Sequence, residues 1–339
     1  MLKYLFVLIF PVVGFISFWL DGIYSYALVL LAFGIIPLLE LILPAAPKFL
    51  SQEKIESLQQ NPRYTCILYA MVPVQFFLLL YFLIQVKDAP FSIALVLPII
   101  TMGILCGTIA INVAHELGHR HKKLEQFLAK SRLMTSLYMH FYIEHNRGHH
   151  KNVATPHDPA TARKNENLYA YLVRCISSTY LSAWKIENDR LERNNKFAYS
   201  FKNAMIQFSL VQTLFLLIIY SLFGLQALIC FVLAAAVGFV LLECIEYIEH
   251  YGLTRDEIKP GIYARVEEQH SWNCNKILGR LILFELPLHP AHHKNSSIQY
   301  QALQSTQKAP EMPYGYPTMI LLALIPPLWF KKINPILAD

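Results

Sequence analysis

Thirteen histidines occur in the 339 residues, and nine of them fall into four short clusters. These are His115-Glu-Leu-Gly-His119, His145-Asn-Arg-Gly-His149-His150, the single His250 in Glu246-Tyr-Ile-Glu-His250-Tyr-Gly, and His289-Pro-Ala-His292-His293. Neutral imidazole is the commonest metal ligand among side chains. Spacings of i, i+3 and i, i+4 set two rings on one helix face, where both reach one ion. A catalytic zinc takes three protein ligands and keeps one open position, so nine imidazoles exceed what one such ion uses. Divided between two ions they give four or five each, with room for oxygen or water. Imidazole-rich, open coordination suits iron, zinc or copper, so the ligand type leaves the metal undecided. The first cluster also has the H-E-x-x-H spacing of zinc proteases, with the glutamate as general base. That reading leaves the other seven clustered histidines without a role.

Carboxylates beside metal-ligating histidines commonly hold the second ring nitrogen. Glu116 and Glu144 adjoin ligand candidates, and Asp158 follows the second cluster; all three are expected in that role. His121, His140, His157 and His270 are read as structural or surface residues. The six cysteines (Cys66, Cys106, Cys175, Cys230, Cys244, Cys274) form no C-x-x-C pair, which argues for apolar packing rather than a redox or metal centre. Electrons for any redox reaction must therefore arrive from a separate carrier.

The elements that position these residues are apolar. The chain is 55% hydrophobic and only 15% charged. Its apolar residues gather in six runs, roughly 4–20, 24–43, 64–86, 91–114, 206–223 and 225–242. About 20 such residues span a hydrocarbon core. The first run has no small-x-small cleavage site near Leu20 and is read as a retained helix. Gly224 supplies the turn of a tight hairpin between the last two runs. With a cytoplasmic amino terminus, the far-side loops are 21–23, 87–90 and 224, and of the 29 Lys and Arg residues only Lys87 lies in them. The fold expected is an all-α integral membrane protein of six transmembrane helices, with a histidine-rich cap on the cytoplasmic side. Its segments are 1–114 (four spans), 115–205 (cytoplasmic, two histidine clusters), 206–242 (the hairpin) and 243–339 (cytoplasmic, His250 and the last cluster), working as one functional domain. A helix over 127–142 should lie against the membrane, and the proline-broken stretch 317–330 should be interfacial or re-entrant. The net charge of +6 is concentrated on one face, where it serves topology and attraction to anionic membrane lipids. Docking of an acidic electron-transfer protein is a secondary reading. No basic, aromatic-interleaved surface of the kind that binds nucleic acid is present.

The clusters, with Pro37-Leu-Leu-Glu40, Ile143-Glu144, Val153-Ala-Thr-Pro-His-Asp-Pro-Ala-Thr161, Trp184…Glu187…Arg190-Leu191, His270-Ser-Trp-Asn273 and Gly315-Tyr-Pro317, resemble the membrane-bound alkane 1-monooxygenases. More broadly they resemble the membrane desaturases and hydroxylases with histidine boxes. The resemblance runs from about Pro37 to Pro335. It implies a non-haem di-iron centre of two iron ions, held by His115, His119, His145, His149, His150, His250, His289, His292 and His293. It also implies O2 as co-substrate, and a terminal methyl hydroxylated to a primary alcohol. Rubredoxin would be the electron donor, itself reduced by an NADH-dependent rubredoxin reductase, and the setting a bacterial inner membrane.

Two places depart from that family. The last cluster usually reads L-Q-R-H-S-x-H-H, and here Pro287, Leu288 and Pro290 replace polar residues. Glu246 stands where an asparagine is usual, four residues before His250, where it either faces the metals or caps a basic neighbour. An apolar channel from the bilayer would deliver a hydrocarbon substrate, with Ala32 and Phe33 as candidates for its wall. Rival readings are a fatty-acyl desaturase or hydroxylase, an alkyl-aromatic methyl hydroxylase and, more distantly, an intramembrane zinc protease. A metal transporter would carry its ligands within the spans near the midplane, whereas these lie at span ends and beyond.

Overall fold

Away from water, a lone apolar segment satisfies all its backbone N–H and C=O groups only as a helix. In the computed structural model, which describes residues 1–20 and 22–338 (only the backbone at Ala338), the chain is mostly helical. Four helices long and apolar enough to cross a membrane come first: α1 (Leu2–Trp19), α2 (Gly22–Ile42), α3 (Arg63–Lys87) and α4 (Ile93–Gly118). Two more polar helices follow, α5 (Lys123–Met134) and α6 (Leu168–Glu192). The fifth membrane-length helix is α7 (Ala204–His250). The sequence predicts six spans, but among the described residues five helices qualify, because the last two runs are joined in this 47-residue element. Its helical path is broken at Gly224 (φ 82, ψ 178), a conformation that costs little only where there is no Cβ.

Lipid offers no hydrophobic drive for helices to associate, so small residues that permit close approach carry the contact. Here α4 packs on α7 through Gly103, where a Cβ would collide with Val237, and Gly238, where a Cβ would lie 2.6 Å from Cys106. Large apolar side chains such as Leu38, Ile42, Phe77 and Leu214 are exposed on the outside of the bundle. Two spans are locally widened into π-helix, α2 at Leu31–Ile35 and α4 at Cys106–Ile111. A third π segment, His145–His149, lies in the histidine region. Such bulges shift the rows of side chains around the helix axis and recur at functional sites.

The helix expected over 127–142 is shorter and starts earlier. α5 ends at Met134, where the Thr135 hydroxyl donates to the Arg132 carbonyl (2.7 Å) and Leu137 turns to φ 51. A new helix then begins at Phe141. The last histidine cluster forms α8 (His289–Lys294). The carboxy-terminal stretch is two short helices, α9 (Tyr316–Ala323) and α10 (Pro326–Ile333). A two-stranded hairpin, Glu257–Lys259 with Ile262–Tyr263, is the whole of the sheet among the described residues.

Buried polar ties lock the cap to the spans. Glu40, near the end of α2, accepts from the Gly279 N–H (2.8 Å), and its carboxylate fills the space a Cβ at Gly315 would need. Sequence motifs around positions 40 and 315 are therefore in contact. Arg132 of α5 is fully buried and donates to the Ala110 carbonyl of α4 (3.3 Å).

Candidate metal centre

All nine clustered histidines meet in one place, as two groups. His115, His119, His145, His150 and His292 form the first, and His149, His250, His289 and His293 the second; within each group the candidate ligand nitrogens lie within 4.8 Å of one another. The grouping does not follow the sequence clusters. His115 and His119, at i, i+4 on regular helix, stay together as expected. His145 and His149 have the same spacing but sit in the π segment, where the turn is longer. There His145 pairs instead with His150, five residues on, with their Nε2 atoms 3.1 Å apart. α8 is divided in the same way: His292 faces the first group and His293 the second, so the i, i+3 pair His289 and His292 is separated.

The nitrogen geometry is that of coordination. Nε2 of His292 lies 3.0 Å from that of His115 and 3.1 Å from that of His150. In the second group, Nε2 of His149 is 3.2 Å from that of His293, and Nε2 of His250 is 3.0 Å from that of His289. Two nitrogens each at about 2.0–2.1 Å from one ion, at right angles, are about 3 Å apart. Buried Nε2 of His119 and Oε2 of Glu246 have no hydrogen-bond partner. Five carboxyls (Glu144, Asp158, Glu243, Glu246, Glu249) are buried around the rings, an acceptor-rich interior that cations would complete. The donor set therefore fits two metal ions.

Burial, reinforced by neighbouring imidazoles, favours the neutral ring at six of the nine. His119 is pushed down to about 3, and His145, His150, His289, His292 and His293 all lie well below the usual histidine value. Neutral rings present the lone pair that binds a metal. Burial alone would raise Asp158, yet His149 and Thr161 beside it hold its carboxyl below the ordinary range.

Of the carboxylates expected to orient the rings, Asp158 is placed to do so: its Oδ2 lies 2.9 Å from His149 Nδ1 and accepts from the Thr161 hydroxyl at 2.6 Å. Glu116 and Glu144 do not. Glu116 is paired with Arg120 (2.6 Å) and accepts from the Tyr300 N–H, tying α4 to the 300–302 turn. Glu144 accepts from Ser182 of α6 (3.3 Å) and is folded over Gly148. Each neighbours a ligand in sequence, but its side chain leaves the helix toward another element. Glu246 faces the rings, 3.4 Å from His149 Nε2. Glu249 was missed from the sequence; its Oε2 is 3.3 Å from His289 Nε2, and its Oε1 accepts from the Tyr316 hydroxyl at 2.5 Å. Its signal was its place directly before His250. His140 is buried against Tyr138 and Tyr180, and His157 packs on Tyr263. His270 accepts at Nδ1 from the Glu267 N–H, while its carbonyl oxygen lies 3.4 Å from His250 Nδ1.

The altered last cluster is accommodated by the backbone. Pro290 lies in the first turn of α8, where a missing N–H leaves no helix bond unmade. The Pro287 carbonyl accepts from the Cys274 N–H (3.0 Å), and Leu288 is fully buried.

An apolar cavity of about 60 Å³ lies between α2, α4, α7 and α9, lined among others by Ala32, Phe33, Gly107, Thr108, Ile245 and Tyr316. Both π segments of the spans open onto it. A separate groove of about 1110 Å³ has His150 and His293 in its lining, with Arg147, Lys151, Lys185, Arg190, Arg193, Arg255, Arg265 and Lys294 around them.

Residues 90–323, which contain all nine rings, match the fatty acid desaturase family. An alkane 1-monooxygenase of Ectopseudomonas oleovorans is 35% identical over 98% of this chain and 84% of its own length. The chain belongs to the alkane 1-monooxygenase family. An alkane 1-monooxygenase of Acinetobacter baylyi is 38% identical over 88% of this chain and 74% of its own length. The family also reaches a xylene/toluene monooxygenase hydroxylase component of Pseudomonas putida, 28% identical over 71% of this chain and 64% of its own length. As a member, the chain is an oxidoreductase, and its apolar helices and histidine centre are the corresponding membrane and metal-binding parts.

Proposed function

We propose that this chain is a non-haem di-iron monooxygenase that converts the terminal methyl of an alkane or alkyl chain to a primary alcohol. One observation carries the reading. An apolar cavity among the spans is lined by Tyr316, whose hydroxyl holds Glu249 against His289 of the four-histidine group. The net reaction inserts one atom of O2 into a C–H bond and reduces the other to water, using two electrons and two protons. Two irons, held by the five- and four-histidine groups, would supply the oxygen activation. The protein's share is position and dryness. Ala32 and Phe33 line the cavity and act as its wall, limiting how far a chain penetrates. Asp158 fixes the His149 ring by holding Nδ1, which keeps Nε2 turned toward the ion.

Electrons come from rubredoxin, reduced by its NADH-dependent reductase. The basic groove beside His150 and His293 supports docking of that acidic carrier within reach of the irons. The protein crosses the inner membrane six times, with α7 crossing twice by turning at Gly224. Two contacts support this: the Ala204 N–H donates to Glu187, near the end of α6, whereas Gln226 bonds the Val86 and Ala89 carbonyls at the end of α3. The two ends of α7 and the carboxy end of α4 then share the basic, cytoplasmic face. The segments 1–114, 115–205, 206–242 and 243–339 work as one domain.

The test is reconstitution of the purified protein with iron, rubredoxin, reductase and NADH under 18O2, with alkanes, fatty acyl chains and alkyl-aromatics offered. A labelled terminal alcohol is expected. An unlabelled alkene would make the protein a desaturase, and a labelled benzylic alcohol formed in preference to alkanols would move it to aromatic methyl groups. Binding of a single zinc would overturn the assignment.

A further inference from the structure

Glu246 turns its carboxylate toward the ring nitrogens of two histidines. Its Oε2 lies 3.4 Å from His149 Nε2 and 3.7 Å from His250 Nε2. Nδ1 of His149 is 2.9 Å from Asp158, and Nδ1 of His250 faces the His270 carbonyl at 3.4 Å. In its neutral form each ring then carries its proton on Nδ1 and its lone pair on Nε2. Glu246 Oε2 is buried and has no hydrogen-bond partner, so a carboxylate oxygen is held against two lone pairs. A proton or a metal cation between them would resolve the contact, and the geometry suits a metal: His145, His149 and Glu246, and likewise Glu246, Glu249 and His250, offer ligand atoms within 4.8 Å of one another. The other oxygen, Oε1, is 3.7 Å from Nδ1 of His145, a nitrogen also without a partner. His145 belongs to the first histidine group, whereas His149 and His250 belong to the second. Glu249 differs, because its Oε1 is committed to the Tyr316 hydroxyl and its Oε2 approaches His289 of the second group.

We propose that Glu246 is a tenth protein ligand: Oε2 binds the ion held by His149, His250, His289 and His293, while Oε1 accepts from the His145 imidazole of the neighbouring site. This rests on the two-metal reading above. An anionic oxygen in an otherwise neutral imidazole sphere makes that site harder and lowers its reduction potential relative to the five-histidine site. The two ions of this chain are then electronically unequal, joined through one carboxylate.

The experiment is Mössbauer spectroscopy of 57Fe-loaded, detergent-purified protein, with chelator competition for iron, on wild type, Glu246→Gln, Glu246→Asn and Glu246→Asp. Two distinct iron signals are expected in the wild type. In Glu246→Gln, nearly the same shape without the charge, one signal moves strongly and the other, reached only through His145, moves much less, and one of the two irons is lost at least about tenfold more readily. Glu246→Asp, which keeps the charge on a shorter arm, retains iron better than Glu246→Asn. Unmoved spectra and retention in Glu246→Gln overturn the ligand assignment alone. So does an equal loss of both irons, or equal defects in the Asp and Asn variants, since those report a disturbed fold rather than a lost ligand. A wild type that takes up no second ion overturns the di-metal reading, and the ligand assignment falls with it.

Discussion

Replacing Glu285 by glutamine should destabilise the protein by about 3 kcal/mol and loosen the last histidine helix. The side chain is fully buried and gathers three cations and a hydroxyl: Arg280 at 2.7 Å, Lys48 at 3.2 Å, Lys3 at 3.3 Å and the Tyr4 hydroxyl at 2.6 Å. Lys3 is 46% exposed, and exposed pairs contribute about 0–1 kcal/mol. Lys48 and Arg280 are 12% and 2% exposed, and removing one partner of a buried pair costs about 3–5 kcal/mol. The lower end applies, because Lys48 keeps the Gln301 carbonyl and Arg280 the Ala46 carbonyl as acceptors. The hub also holds Phe284 and Glu285 at φ 51 and 58, a region costly for residues with a side chain. α8 begins four residues later, so freeing this segment should weaken metal binding as well. Burial alone would raise the Glu285 carboxyl, but Lys48 and Arg280 outweigh it and hold the carboxyl below the usual value. A depressed folded-state pKa contributes stability above the unfolded value of 4.5, which is lost as pH falls through the folded one. The deficit of Glu285→Gln relative to wild type should therefore shrink as pH falls below 4.5. Denaturant or thermal unfolding in detergent, with iron content alongside, measures all three. The reasoning fails if Glu285→Gln lies within 1 kcal/mol of wild type, or if Lys3→Ala is as harmful.

His119, His145, His150, His289, His292 and His293 titrate in the opposite sense from an ion-paired histidine. Their folded values lie below the ordinary 6.5, with His119 at about 3, so their contribution is complete above 6.5 and is lost as pH falls from there toward 3. Metal-stripped protein should melt at lower temperature at pH 5 than at pH 8; a flat profile refutes this. His292→Ala and His293→Ala, though adjacent, should each disturb a different iron, read as loss of different Mössbauer signals; disturbance of the same signal would break the five-plus-four partition. Ala32→Phe should fill part of the apolar cavity and shift hydroxylation toward shorter chains, measured by gas chromatography of products from a mixed alkane series. An unchanged product profile would remove Ala32 from the channel wall. Gly103→Ala should cost about 1–3 kcal/mol, because the new methyl meets Val237 and the Ala234 backbone across the α4–α7 contact; thermal unfolding in detergent checks it.

Apolar runs, histidine clusters and the bias of basic residues are local properties of the chain, and they determined a great deal. A run of apolar residues in lipid has the helix as its only solution, so the apolar runs were legible as helices, although the last helix continues past Leu242 to His250. The gathering of the nine imidazoles was legible as well, because four clusters of one metal-binding residue type at helical spacings have a shared site as their common explanation. The break at Gly224 was legible too, although counting helices by continuity gives five. What the sequence could not assign was which ring joins which group. Helical spacing puts His145 with His149 and His289 with His292, but a π turn and the seating of α8 between both groups separate each pair. Nor could adjacency say which carboxylate faces the rings. Glu116 and Glu144 neighbour ligands but turn to Arg120 and Ser182, while Asp158, Glu246 and Glu249 turn inward. Those choices depend on the rotation of each helix about its axis, which is set by the partners it packs against, and only the tertiary structure fixes them.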